Sequence, residues 1–247
     1  VVLTTAFTST TRPVMVRAVI LAHEPRQARV AGEAYVRFIG GVQMDIQKQR
    51  WDEYYRSLNG ISIDKWLEDY SSLFNKDISV LDLGSGNGAN IPFLLSKTNN
   101  VFALDYAESA INIIKSKYHI EAVAADMRMP LPYNDKAFEV IISDLSLHYF
   151  SETETYSILK DVDRIMKHNG ILLARLNSSN DIKHGAKKGT EIEKGYFEYE
   201  GRRKRFFDRE MIIKFFGELF GIDYLEEKRT GKYLEEKVLW EMKAIKT

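Results

Sequence analysis

Three glycines alternate with polar residues in the stretch SVLDLGSGNGANIPFLL, Ser79 to Leu95. Val80, Leu81 and Leu83 read as a buried strand, and an apolar helix begins after Gly88. Glycine at 84, 86 and 88 lets the backbone approach a ligand and adopt positive φ. The spacing G-x-G-x-G differs from the G-x-G-x-x-G of dinucleotide folds, and the Lys-Ser/Thr of a nucleotide-phosphate loop is missing. Asp82 lies inside the apolar strand, where a carboxylate is costly unless paired. A cationic ligand group, or the N–H groups of the loop, would pair it. Asp105 stands 17 residues beyond Gly88, a place where an acid can accept both hydroxyls of a ribose. It also suits the cap of a helix over 107–118. Asp126 can accept from an adenine amino group while Met127 packs on the ring; the alternative is a loop aspartate ahead of Pro130 and Pro132. Ser143 and Asp144 then precede LSLHYF, with His148 and Tyr149. An imidazole titrates near neutrality, which suits His148 as a general base. A structural hydrogen bond at the strand end is its other reading.

These residues need elements to hold them. DIQKQRWDEYYRSL reads as an amphipathic helix, and a second helix, capped by Ser62, carries Trp66, Leu67, Tyr70, Leu73 and Phe74. Strands are expected at 79–83, in NNVFALD, in IEAVAADM, in AFEVIISDLSLHYF and in GILLARLNS. The helix SETETYSILKDVDRIMKHNG opens on a capping box of Ser151 and Glu154 and is expected to end at Gly170. Asp208 caps a helix through Phe220, closed by Gly221. Two last strands, near 222–229 and 237–246, stand too close for a helical crossover and should pair antiparallel. Alternating strands and helices imply a doubly wound α/β fold. Ligands in such sheets bind beyond the carboxyl ends of the strands. Asp82 with the glycine turn, Asp105, Asp126 and Asp144 mark four such places.

With these residues in place the sequence resembles the class I S-adenosylmethionine-dependent methyltransferases. VLDLGSGNG is similar to the family's first motif, ALD to its second-strand acid, AADMRMPLPYNDKAFEVIISD to its third and fourth, and LKDVDRIMKHNGILLARLNS to its passage into the fifth strand. The resemblance covers roughly residues 78–177. It implies a Rossmann-like, seven-stranded, mostly parallel sheet with the last strand antiparallel, and S-adenosyl-L-methionine as cofactor. By it, Asp82, Gly84, Ser85, Gly86 and Gly88 hold the amino acid part of the cofactor, Asp105 the ribose, and Asp126 with Met127 the adenine. Tyr106 and Asp144 complete the cofactor set. SLHYF, WDEYY and KRFFDREMIIKFF resemble small-molecule enzymes of the tellurite-resistance and thiopurine type. The implied function is methyl transfer to a small-molecule acceptor by in-line displacement. His148 and Tyr55 are then the candidate catalytic residues; Trp51, Tyr54, Tyr149 and Asn177 would face the acceptor. Trp51 and Tyr55 also suit simple packing on the domain. Amino methylation of DNA bases would want Pro-Pro and an aromatic after Asp144, where Leu145-Ser146-Leu147 stands. The alternatives are a non-catalytic binding module, or a protein or RNA methyltransferase using the basic segment 183–205.

Composition narrows the field further. Among 247 residues the formal net charge is zero, so no global field draws the chain to nucleic acid or membrane. There is no cysteine, hence no disulfide, thiolate metal site or catalytic thiol. That fits a reducing cytosol, and a cytoplasmic location is expected. Five scattered histidines show no metal-ligand spacing. Segment 183–205 holds eight basic residues and four acids, and reads as a solvated loop or hairpin. Residues 1–43 hold five of the 15 arginines and none of the 20 lysines. They are expected to be a leader upstream of a natural start at Met44. One methyltransferase domain is expected over 44–247, with cap helices in 44–77 and a substrate-side insertion at 180–207. The sequence is silent on oligomeric state. A chain beginning at Met44 should keep the melting temperature and cofactor affinity of the full chain. Loss of either would place the leader inside the domain.

Overall fold

The computed structural model describes residues 37–39, 42–44, 46–58, 60, 63–231 and 235–247. Most of the expected leader, and the Ser62 cap, lie outside them. A hairpin of β1 (Arg37–Ile39) and β2 (Val42–Met44) straddles the change in composition at Met44. Helix α1 (Ile46–Ser57) follows, and Trp66–Leu73 winds as a 3-10 helix. The body then alternates: β3 (Ser79–Leu83), α2 (Ile91–Lys97), β4 (Asn100–Asp105), α3 (Glu108–Lys117), β5 (Glu121–Ala124), β6 (Phe138–Asp144), α4 (Glu152–Ile165) and β7 (Met166–Asn177). β8 (Thr190–Glu193), β9 (Tyr196–Tyr199) and β10 (Arg202–Arg205) form a separate antiparallel sheet. α5 (Arg209–Phe216), β11 (Phe220–Thr230) and β12 (Lys237–Lys246) end the chain. Among the described residues, no helix is long and apolar enough to cross a membrane.

The main sheet has seven strands in the order β11-β12-β7-β6-β3-β4-β5. β7, β6, β3, β4 and β5 run parallel, and β12 is antiparallel to both its neighbours. This is the expected Rossmann-like sheet. Alternation along β3 explains the uninterrupted apolar runs. Val80 points to a cluster with Ile91, Leu94, Ile111 and Ile114, while Leu81 and Leu83 point to one with Ile158, Leu159, Val162 and Phe215. Both faces are covered, so every strand position is apolar unless it has a partner. β4 and β5 lie on one side of β3 and β6 on the other, so the strand order reverses between β3 and β6, which is where such folds bind ligands.

Two helix ends differ from expectation. α4 opens on the expected capping box at Ser151 and Glu154, but it stops at Ile165. Gly170 lies within β7, and the positive φ falls on Asn169. Glycine is needed at 170 for closeness instead, because a Cβ there would lie 2.7 Å from the Lys167 carbonyl. α5 has its Asp208 cap, yet ends at Phe216 with Gly217, and Gly221 belongs to β11. In the segment 183–205, expected as a loop or hairpin, residues 190–205 pair as the antiparallel hairpins of the three-stranded sheet, after a 3-10 turn at Ile182–His184.

One buried cation ties the outer segments to the core. Arg175 on β7 gives two hydrogen bonds to Asp144 at 2.7 Å and a third to Asp64 at 2.6 Å. Its guanidinium stacks on Trp66 at 4.7 Å. Arg175 thereby holds the 3-10 helix against the ends of β6 and β7. Removing it leaves Asp144 without the cation that engages both its oxygens, in a site 3% exposed on the arginine side. Arg175→Met should therefore cost about 3–5 kcal/mol in urea unfolding. Lysine, lacking the planar fork, should recover only part of that loss.

Candidate active site

The glycine turn is fastened from three sides. Gly84 N–H and Ser85 N–H both donate to the Leu104 carbonyl, at 2.7 and 3.0 Å. Gly86 N–H donates to Asp105 Oδ2 at 2.8 Å. Ser146 Oγ donates to the Leu83 carbonyl at 2.7 Å and lies within 2.7 Å of Ser143 Oγ. Gly84 (φ +76°) has no room for a side chain, since a Cβ would lie 2.2 Å from that of Ser146. The Met127 methyl is close by, 3.5 Å from the same point. A Cβ on Gly86 (φ +54°) would meet the Tyr55 hydroxyl at 2.8 Å. Both glycines thus serve a left-handed backbone and a close approach at once.

Carboxylates line the floor. Asp82 is fully buried, and both its oxygens accept from Asn90 Nδ2, at 3.2 and 3.3 Å. Burial pushes its pKa up to about 7, with the neighbouring Asp144 and Asp105 adding to the shift and Asn90 opposing it. Asp105 accepts from Ala107 N–H at 2.9 Å as well as from Gly86. It therefore fixes the approach to α3 without acting as that helix's N-cap, which is Ala107. Burial raises the Asp105 pKa, and the backbone donors Ala107, Gly86 and Tyr106 oppose this. A carboxylate has about four acceptor positions, so one position beyond those three donors is open to a ligand hydroxyl.

The remaining expected residues fall into two groups. Asp126 forms a bidentate pair with Arg128, whose guanidinium lies 5.8 Å from the Tyr106 ring. Asp144 is engaged by Arg175 through both oxygens, so the ion cluster that braces the sheet occupies it. On the opposite side, Trp51 meets Tyr149 edge-on at 5.4 Å and stacks on Tyr55 at 5.9 Å. Tyr54 stands on the rim, 50% exposed. His148 is 3% exposed and rests 4.2 Å from the Tyr149 ring, its Nδ1 buried without a partner. Asn177 Oδ1 and Ser85 Oγ are buried and unpartnered in the same way. α1 is placed by Asp52, which accepts from Ser109 N–H at 2.8 Å. Asn90, Ser146 and Arg175 were missed from sequence. Ser146 and Arg175 work by meeting residues distant along the chain, whereas Asn90 meets Asp82 across the glycine turn, and only its position, just after the glycines, carried a local hint.

Residues 80–170 match the model of a methyltransferase domain. An uncharacterised methyltransferase-like protein of Schizosaccharomyces pombe is 24% identical over 133 residues, 53% of this chain and 50% of that protein. A methyltransferase structure from Methanosarcina mazei superposes with a TM-score of 0.61 at 18% identity, covering 72% of this chain and 96% of that one. Residues 80–170 are a methyltransferase domain by the family match, on a fold shared with S-adenosylmethionine-dependent methyltransferases. A second structure of this fold, the 1,6-didemethyltoxoflavin N1-methyltransferase of Burkholderia thailandensis, holds its substrate and S-adenosylhomocysteine. It gives a TM-score of 0.56 at 15% identity, covering 73% of this chain and 78% of that one. The chain spans half the length of the curated S. pombe relative.

The cofactor of the methyltransferase domain is S-adenosylmethionine, and the residues present fit it. Ser85 Oγ is a buried polar atom awaiting a partner beside the glycine turn. Asp82 is an acid held half-titrated near neutrality where an ammonium would stabilise its charge. The sign of the pH dependence follows. Below about pH 7 Asp82 takes up a proton, and binding an ammonium must then expel it. Affinity for S-adenosylhomocysteine should fall up to about tenfold from pH 8 to pH 6. Calorimetry on the wild type and Asp82→Asn checks this, the asparagine variant binding weakly with a flat profile.

Proposed function

We propose that the methyltransferase domain acts on a small-molecule acceptor seated between α1, His148 and the end of β7. One observation carries this reading: the glycine turn is roofed by an aromatic cluster, and beside it stands an imidazole whose Nδ1 is buried without a partner. A roof this close to the turn suits a compact acceptor better than a polymer. Part of the charge of the basic segment 183–205 is met within the segment, Arg203 pairing with Glu198 and the buried Arg205 with Glu193. That weakens the case for an RNA groove.

Bound S-adenosylmethionine supplies an electrophilic methyl on its sulfonium, ready for in-line displacement. The chain's own contribution is alignment and exclusion of water. Tyr55 stays a phenol O–H donor, because burial pushes its pKa well above the ordinary value and the Asp105 carboxylate adds to this. His148 stays neutral, since burial drives its pKa well below 6.5, with Lys237 and Lys204 adding. A neutral imidazole of low basicity is a hydrogen-bonding group that orients the acceptor through Nδ1. It takes the proton only from an acceptor that becomes strongly acidic as its bond to the methyl forms. We further assign the domain to the cytoplasm and read residues 1–43 as a segment outside it.

The experiment is to follow S-adenosylhomocysteine release with a panel of thiols, amines, phenols and metalloid oxyanions. Once an acceptor is found, Tyr55→Ala and His148→Ala should lower kcat about 100-fold through misalignment while changing S-adenosylhomocysteine affinity far less. His148→Ala should leave the pH–rate profile between 6.5 and 9 unchanged in shape, because the wild-type imidazole is already neutral throughout that interval. A cofactor that binds while the whole panel stays untouched would favour a binding module.

A further inference from the structure

The small sheet delivers an unpaired cation to the acceptor side. Within β10, Arg203 pairs with Glu198 and Arg205 with Glu193, both on one face of the strand. Lys204 lies between them and points the other way. It is half-buried, and among the described residues it has no hydrogen-bond or ion-pair partner. Backbone contacts fix where it stands. Arg205 N–H donates to the His148 carbonyl at 2.7 Å, Phe207 N–H to the Asn177 carbonyl at 2.8 Å, and Ser178 N–H to the Val238 carbonyl at 3.3 Å. The ends of β7, β10 and β12 and the His148 loop therefore meet at one point.

Charge at that point is unbalanced. Lys237, at the start of β12, is 7% exposed and has its counter-ion, Asp181 Oδ2 at 2.7 Å. Asp181 is further committed to Val238 N–H at 3.1 Å and His184 Nδ1 at 2.8 Å. Lys204 adds a second positive charge beside Lys237, and the acid that acts on it is the same Asp181, already bonded to Lys237, Val238 and His184. Burial lowers the Lys204 pKa, and Lys237 and Arg202 lower it further, with Asp181 opposing. Withdrawing an ammonium even partly from water without an ion-pair partner is costly, and such a cost is commonly tolerated where a ligand repays it. The same backbone contacts bring in His148 and Asn177, whose Nδ1 and Oδ1 are buried and unpartnered.

We propose that Lys204 forms an oxyanion subsite, and that the methyl acceptor is a small molecule bearing a carboxylate or phosphate. The oxyanion sits on Lys204 with Lys237 behind it. A hydroxyl or amine of the same molecule donates to Asn177 Oδ1, and the reacting atom lies toward His148 and Tyr55. The proposal rests on the methyltransferase reading above and narrows it to anionic acceptors.

The test is calorimetric titration of inorganic phosphate, and separately of acetate, into the full chain with and without saturating S-adenosylhomocysteine. At least one anion should bind in roughly the millimolar range, as expected of a fragment. Lys204→Met should weaken it at least tenfold, Lys204→Arg should stay within about threefold, and S-adenosylhomocysteine affinity should be unchanged in both. Failure of both anions to bind, or equal binding to the methionine variant, would overturn the subsite. A parallel loss of S-adenosylhomocysteine affinity would overturn it too, by assigning the ammonium to the cofactor's carboxylate. Because the anions are also titrated alone, failure of S-adenosylhomocysteine to bind the wild type counts against the methyltransferase reading and leaves the anion result standing by itself.

Discussion

The carbonyl of Leu104 accepts from two consecutive N–H groups of the glycine turn, and the next residue, Asp105, accepts from a third. This clamp pins the exit of β3 to the exit of β4. Everything at the site takes its place from it. The turn cannot relax outward without leaving buried N–H groups unpaired, each costing on the order of 1–3 kcal/mol. It cannot carry a side chain at 84, because Ser146 already fills that space while bonding to the Leu83 carbonyl. Held this way, the turn sets the distance between the Asp82 and Asp105 carboxylates on the floor and the aromatic roof above.

Burial then tunes the chemistry of groups the clamp has positioned. Asp82, Asp105, Tyr55 and His148 are all pushed toward their neutral forms, with desolvation the leading cause in each. A site full of suppressed charge responds strongly to a charged ligand. A cation placed against Asp82 or Asp105 would draw those carboxyls back to their charged forms. The cost is carried by the sheet, whose two clusters bury large apolar side chains worth about 1.5–3 kcal/mol apiece.

Much of this was legible in the sequence because the signals are local. The G-x-G-x-G spacing, the carboxylates at strand ends and the Ser151 and Glu154 box depend on neighbours a few residues away. The sheet followed from strand and helix alternation. What local signals cannot carry is a partner across the fold. Asp144 reads as a ligand-facing acid at a strand end, yet Arg175, 31 residues on, takes both its oxygens. Lys204 reads as one of eight basic residues in a charged stretch. Only tertiary contacts separate it from Arg203 and Arg205, which have acids to meet. Helix ends failed for a related reason. Gly170 and Gly221 look like stops, but at 170 a nearby carbonyl demands glycine, and 221 has already joined a strand.

Arg205 gives the two flanks of the site different mechanics. Its buried guanidinium binds Glu193, donates to the Lys194 carbonyl at 2.9 Å and lies over Tyr196 and Phe215 at 4.9 and 5.1 Å. The small sheet is riveted through it to α5 and the body. α1 is tied more lightly: the Asp52 contact to Ser109, the exposed Lys48–Glu108 pair, and Arg50 donating to the Gly201 carbonyl. Elements with few buried contacts open at the lowest free energy. The wall that carries Tyr55 over the glycine turn is therefore held by fewer buried polar ties than the wall built on Arg205.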